Sequence, residues 1–215
     1  YEYGRKNLNF KSRIYYFDID NDFNFPLADS SATQRNAAYQ NIGFLNDLFY
    51  KPAENQLLSI NTWFNFNHRQ VQPQKFDFVN SDQLTDRNLR LLASYSIQSE
   101  KLFNEFRIGY TYDYQAFNIE QEIITNRWYA SYENEWQIKS NISWKNGANI
   151  NYLSPKIHAY ESNLQEIRND LYSSLIYSFK FGSLAANLRQ PMVDGELKPV
   201  SPSLGIEFFL LANND

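Results

Sequence analysis

Apolar and polar side chains alternate one for one along this chain, in long runs that recur from one end to the other. Side chains on a strand point to opposite faces in turn, so this period of two dictates β-strands with one greasy and one wet face. In NLRLLASYSIQSEKLFNEFRIGYTYDY, residues 88–114, Leu89, Leu91, Ala93, Tyr95 and Ile97 alternate with Arg90, Ser94, Ser96 and Gln98. After a short polar break, Leu102, Phe106, Ile108, Tyr110, Tyr112 and Tyr114 alternate with Glu105, Arg107, Thr111 and Asp113. The pattern predicts two strands joined by a tight turn. Which face looks outward is the question that decides everything else.

About ten strands are predicted. They fall near Leu8 to Phe25, Tyr39 to Tyr50, Gln56 to Arg69, the two just described, Trp128 to Ile138, Ile142 to Tyr152, Leu171 to Phe181, Leu184 to Arg189 and Ser203 to Leu211. In the third, Trp63 breaks the rule by standing on the polar parity. SNLQEIRNDL, residues 162–171, has the look of a helical turn between neighbours that read as strand.

The connections are of two kinds. KPAENQ, QSEK, IKSN and FGS are short; Pro26 to Arg35, Gln70 to Arg87, Gln115 to Thr125, His158 to Arg168 and Gln190 to Pro202 are long. Short and long alternate, which in an up-and-down sheet puts the short turns on one rim and the long loops on the other. Outer-membrane barrels sort their loops this way, with short periplasmic turns and longer extracellular loops. Strand length agrees, since about 9–11 residues cross a bilayer and a globular strand averages about 5–6.

The polar parity carries Glu105, Arg107, Asp113, Arg127, Glu133, Glu135 and Lys145. They are too many and too charged for a dry core. A water-filled or plugged lumen accommodates them, and so would the solvent face of a soluble sandwich. The mean hydropathy of −0.59 does not separate these, because half of every barrel strand faces a polar interior. Sixteen Tyr, seventeen Phe and four Trp suit a membrane–water boundary. Trp63, Trp128, Trp136 and Trp144 are read as interface anchors, the last two flanking the IKSN turn as a lower girdle. The expectation is an all-β, antiparallel, up-and-down transmembrane β-barrel with its greasy side out.

Other chemistry is sparse. Twenty basic residues against twenty-four acidic ones give no basic stripe and no nucleic-acid partner. With no cysteine, disulfides and thiolate metal sites are excluded. DIDND offers Asp18, Asp20 and Asp22 at the spacing that opens an EF-hand loop, but Phe23 and Asp29 stand where Gly and Glu are needed. Calcium is therefore a weak candidate and no other cofactor is expected. His68 and His158 lack a clear carboxylate partner, a poor metal or catalytic claim. No P-loop, G-x-S-x-G or G-x-G-x-x-G occurs, and no enzyme is expected. Recognition is assigned to the long loops, because loops on a rigid scaffold usually carry it; the candidate contacts are Arg69, Gln72, Lys75 and Asp77.

RNAAYQNIGFLNDLFYKPAENQLLSINTWFNFNHRQVQP, residues 35–73, resembles the early barrel strands of TonB-dependent outer-membrane receptors, especially the cobalamin-receptor-like group of Bacteroidetes. The likeness lies in R-N-A-x-Y-x-N, a short Y-x-P turn, LLS and an aromatic strand closing on R-Q-V-Q-P. KNLNFKSRIYYFDIDNDFNFP and VSPSLGIEFFLL are similar to a first and a mid-barrel strand of that group. The resemblance implies a barrel of twenty-two strands with a plugged lumen in a Gram-negative outer membrane. It also implies uptake of a scarce nutrient such as cobalamin, a siderophore or a glycan. The implied partners are the lipid bilayer, the receptor's own plug, TonB through that plug, the ligand and a possible surface lipoprotein. Because no plug and no TonB box are seen and FFLLANND lacks a terminal aromatic, residues 1–215 are expected to be a partial barrel domain. Two alternatives stay open: a self-contained ten-strand outer-membrane barrel, porin-like or enzymatic, and a soluble carbohydrate-binding β-protein.

Overall fold

A computed structural model describes residues 1–27, 30–34, 36–71, 82–118, 120–157 and 164–208. Among them fourteen strands form: β1 Glu2–Arg5, β2 Leu8–Ile19, β3 Phe23–Leu27, β4 Ser30–Gln34, β5 Tyr39–Tyr50, β6 Gln56–Gln70, β7 Gln83–Gln98, β8 Leu102–Phe117, β9 Gln121–Lys139, β10 Ile142–Ile157, β11 Glu166–Phe179, β12 Gly182–Val193, β13 Glu196–Leu197 and β14 Ser201–Phe208. Twelve of them build one sheet, in which every pairing is antiparallel. Its order is that of the chain, with β3 and β4 set aside as a separate hairpin. Both β13 and β14 pair with β12 at one edge. They are one edge strand interrupted at Pro199, a residue with no N–H for the ladder. The sheet is not closed: β1 forms one edge and β13 with β14 the other.

The strand count and several boundaries therefore differ from the sequence reading. The expected first strand ends at Ile19, and Phe23–Leu27 pairs with Ser30–Gln34 instead. The expected Gln115 to Thr125 loop shrinks to residues 118–120, because Ala116 and Phe117 pair with Glu122 and Gln121. The expected Gln190 to Pro202 loop holds a two-residue hairpin in which Val193 pairs with Glu196. Asp194 and Gly195 have φ of 51° and 83°, the left-handed pair that such a turn demands. Residues 166–171 of the suspected helical turn lie in β11. The short turns at 6–7, 51–55, 99–101, 140–141 and 180–181 do lie on one rim. The opposite rim carries the longer links and also the short 118–120 turn.

Register sorts the side chains into two faces. Ile60, Ala93, Ile108, Ala130 and Ile150 form one row across β6 to β10. Above it run Leu91, Tyr110, Trp128 and Tyr152; below it run Leu58, Tyr95, Phe106, Tyr132, Ala148 and Leu171. Lower still, Leu102, Trp136, Trp144 and Leu175 make a further row. Ring pairs stitch adjacent strands on this face: Tyr110–Trp128 at 4.5 Å, Phe106–Tyr132 at 4.7 Å and Trp136–Trp144 at 6.5 Å. Each such pair is worth about 0.5–1.5 kcal/mol beyond its buried area. Trp128 and Trp136 lie on β9, about 27 Å apart along a strand that rises 3.4 Å per residue. At a tilt near 40° that is about 20 Å along the barrel axis, close to the apolar band of an outer-membrane barrel.

Among the described residues no second layer covers this face. Ile108 is 54% exposed, Trp128 50% and Leu171 59%, and the buried apolar residues among those described are Ala37 and Ala116 alone. Crowding is greater on the polar face, where Asn41, Ser59 and Asp170 are buried. Side chains that converge on one face and splay on the other mark a sheet curved with its polar face concave.

Candidate functional site

All seven charged residues singled out from the sequence share the concave face, Lys145 by its register with Glu135. Glu105 pairs in register with Glu133, Arg107 with Ser131 and Thr111 with Arg127, while Asp113 and Glu135 hold the same parity. Arg107 is bonded to Glu105. Glu133 accepts from Lys145 Nζ at 2.7 Å and from the Tyr172 hydroxyl at 2.8 Å. Arg189 grips Asp170 with two hydrogen bonds of 2.8 and 2.9 Å, and Arg90 donates to Asp113 at 2.5 Å. Amides and hydroxyls extend the lattice: Ser59 with Ser94 at 2.7 Å, Asn61 to Asp47 at 2.7 Å and Asn41 to Asn65 at 2.9 Å. Part-exposed ion pairs contribute about 0–1 kcal/mol each. They pair much of the charge on this wall.

Two tyrosines clasp three strands each. Tyr15 of β2 lies across Gly43 of β5 and donates to Asn65 of β6 at 2.9 Å. Tyr172 of β11 lies across Gly147 of β10 to reach Glu133 of β9. A Cβ at either glycine would collide with the tyrosine ring, so the missing side chain is what lets the ring lie flat on the wall.

Trp63 is corrected from the sequence reading. It shares the concave face with Arg90 and Thr111, so it is no interface anchor, whereas Trp128, Trp136 and Trp144 stand on the apolar face. The Arg90 guanidinium sits 5.5 Å from the Trp63 ring centre. Beside them a trough of about 460 Å³ opens over Gly109, walled by Leu45, Trp63, Leu92 and Tyr129. Sequence reasoning missed this trough. The one signal it had was Trp63 standing out of phase. A larger depression of about 630 Å³ lies on the apolar face between Phe106, Ile108, Ile150 and Leu171.

The remaining candidates do not converge. Arg69 stands exposed at the long-loop end of β6, opposite Tyr39 and Leu84, and Gln72, Lys75 and Asp77 lie outside the described residues. Asp18 accepts from the Tyr16 hydroxyl at 2.8 Å, while Asp20 and Asp22 lie in the link after β2. Among the described residues no three His, Asp or Glu gather as metal ligands. His68 shares a 3.0 Å hydrogen bond with Thr85; His158 lies outside the described residues.

No protein-family model and no curated protein matches the sequence. Solved structures do match its shape. The siderophore receptor PirA from Pseudomonas aeruginosa is 14% identical with a TM-score of 0.68, over 97% of this chain and 36% of that one. The outer membrane transporter YddB from Escherichia coli is 14% identical with a TM-score of 0.62, over 95% of this chain and 37% of that one. The chain thus spans little more than a third of either protein, and it has the fold of an outer-membrane β-barrel wall.

Proposed function

We propose that this chain is a section of the barrel of a TonB-dependent receptor that imports a scarce nutrient across a Gram-negative outer membrane. The observation that carries the reading is the two-faced curved sheet, apolar on its convex side and laced with ion pairs on its concave side. The convex face meets lipid, with Trp136 and Trp144 at the short-turn rim as the periplasmic girdle. The concave face lines the lumen, against water and a plug carried elsewhere in the receptor. The rim opposite the short turns is the outer one, where Arg69 and the segment holding Gln72, Lys75 and Asp77 are the proposed ligand contacts, and Asp18, Asp20 and Asp22 a calcium candidate. The ligand is cobalamin, a siderophore or a glycan, and a surface lipoprotein is a further partner. The section does no covalent chemistry.

Unpaired edge strands favour this over a self-contained barrel. An apolar face with many large side chains exposed favours it over a soluble sandwich. The test is an antibody raised against residues 82–118, used on fractionated native cells. If 25.4 kDa is 36% of the whole, the parent protein is about 70 kDa, and a band of that size is expected in the outer membrane. A 25 kDa band there would replace the receptor with a small complete barrel. A soluble band would reverse the faces.

A further inference from the structure

We propose that the apolar face of β8–β11 carries a seat for a diacyl phospholipid of the periplasmic leaflet, one fatty chain in the depression beside Ile108 and the ester carbonyls on the amides of Asn104 and Asn146. The inference rests on the reading of this face as the one that meets lipid, and adds to it a site of defined chemistry.

One row of this face breaks its apolar character. Asn104 pairs in register with Asn134, Asn134 with Asn146 and Asn146 with Ser173. Polar side chains thus cross four adjacent strands on the apolar parity. The next row toward the short-turn rim holds Trp136 and Trp144. Two residues along a strand are about 7 Å, so the amides stand just inside the tryptophan girdle. That is the depth at which a leaflet passes from headgroup to hydrocarbon, where its ester groups lie.

The hydrogen bonds decide what these amides can offer. Asn104 Oδ1 accepts from the Tyr132 hydroxyl at 2.8 Å and from Asn134 Nδ2 at 2.9 Å. Asn146 Oδ1 accepts from Ser173 Oγ at 2.9 Å, and that oxygen accepts from Trp144 Nε1 at 2.8 Å. Both carbonyl oxygens are engaged, while neither Nδ2 has an acceptor among the described residues. An amide N–H left bare against hydrocarbon is costly. A carboxylic ester has acceptors and no donor, which complements what Asn104 and Asn146 have left.

Directly beyond this row the wall sinks. Ala130 and Ala148 are small among Phe106, Ile108, Ile150 and Leu171, and the depression they share is about 630 Å³, within the roughly 300–1,000 Å³ of small-molecule sites. The apolar depression lies toward the midplane and the N–H donors toward the rim. A phospholipid carries its chains and its esters in that same order. β8–β11 lie inside the sheet, and the turns beneath them at 99–101, 140–141 and 180–181 are all described. Strands added beyond the β1 or β14 edge would lengthen the wall without covering this place, and a plug would lie behind it.

The test is native mass spectrometry of the intact parent protein with added dipalmitoylphosphatidylethanolamine, or with its dihexadecyl diether, which lacks the ester carbonyls. One lipid is expected to stay on the protein, the diester held about tenfold more tightly than the diether, because hydrogen bonds to the wall are made out of water. Asn104→Leu combined with Asn146→Leu should erase that preference and leave diether binding as it was. Ala148→Phe, which fills the depression, should weaken both lipids, and Ala130→Leu, a smaller filling, should do the same. Heat-modifiable mobility checks that each variant is folded. The proposal is overturned if wild type holds neither lipid or shows no preference, if the double Asn variant keeps the preference, or if the filled variants bind like wild type. A dimer that the double Asn variant dissociates would give the row to a second copy and overturn it equally. Any of these results in a protein found in the outer membrane sinks the lipid seat alone. A soluble parent protein would sink the lipid-facing reading beneath it.

Discussion

Tyr172, Gly147 and Glu133 show how single residues set the wall. The ring occupies the space that a Cβ at Gly147 would need, and its hydroxyl completes the coordination of a carboxylate that is otherwise paired with Lys145. Gly147→Ala is expected to expel the ring and strip a hydrogen bond from Glu133, whose side chain is 17% exposed. The loss should be about 1–3 kcal/mol, in the range of a buried charged group deprived of a partner. In a Tyr172→Ala background the same change should cost much less, because ring and methyl no longer compete. A double-mutant cycle by urea titration of the intact barrel in vesicles measures this coupling; additive effects would mean that the clasp is idle.

At the scale of the strand, β8 carries the inside–outside assignment in its own sequence. Ile108 lies on the apolar face one row below Tyr110, and Thr111 lies on the concave face opposite Arg90 and Arg127. Ile108→Arg places a charge against hydrocarbon and should cost about 2–4 kcal/mol. Thr111→Arg faces a hydrated wall and should cost far less. Equal penalties in a vesicle folding assay would refute the assignment of faces. Above the apolar band the strands continue, β7 and β8 pairing as far as Leu84 and Phe117. There the outward face turns polar: His68 bonds Thr85, and Tyr114 donates to Glu122 at 2.8 Å. Arg87 lies between the rings of Phe66 and Tyr114, 5.8 and 5.1 Å from their centres, at a depth suited to a cation near a membrane surface.

For the whole molecule the governing feature is its pair of edges. β1 is four residues long, and the eight residues of β14 are all exposed. In lipid each unpaired N–H and C=O at such an edge costs several kcal/mol, and in water it templates aggregation. The isolated 215-residue chain is therefore expected to give no heat-modifiable band on an unboiled gel after transfer into vesicles, whereas the parent protein should give one. A discrete, protease-resistant monomer formed by the isolated chain would show that its edges can close on each other.

What the sequence determined is what strand geometry alone transmits. Alternation of side chains is a covalent property of the extended chain, so the all-β class, the two faces and the parity of Glu105, Arg107, Asp113, Arg127, Glu133 and Glu135 were legible residue by residue. Trp63 stood on the polar parity, but its indole pointed to an interface anchor, and only the register set it on the concave face. Strand ends were less legible, for a physical reason. Alternation records the contrast between an apolar and a polar face, and it fades where a strand carries polar groups on both faces. Residues 115–117 and 121–125 therefore read as loop although their backbones pair. The Asp194–Gly195 turn could have been found from its Asp-Gly dipeptide. Partners were beyond reach. Which carboxylate meets Lys145, which glycine lies beneath Tyr172 and what gathers around Gly109 depend on the stagger of three to five strands that are distant in sequence. Each strand fixes which way its side chains point; only the assembled register fixes what they meet.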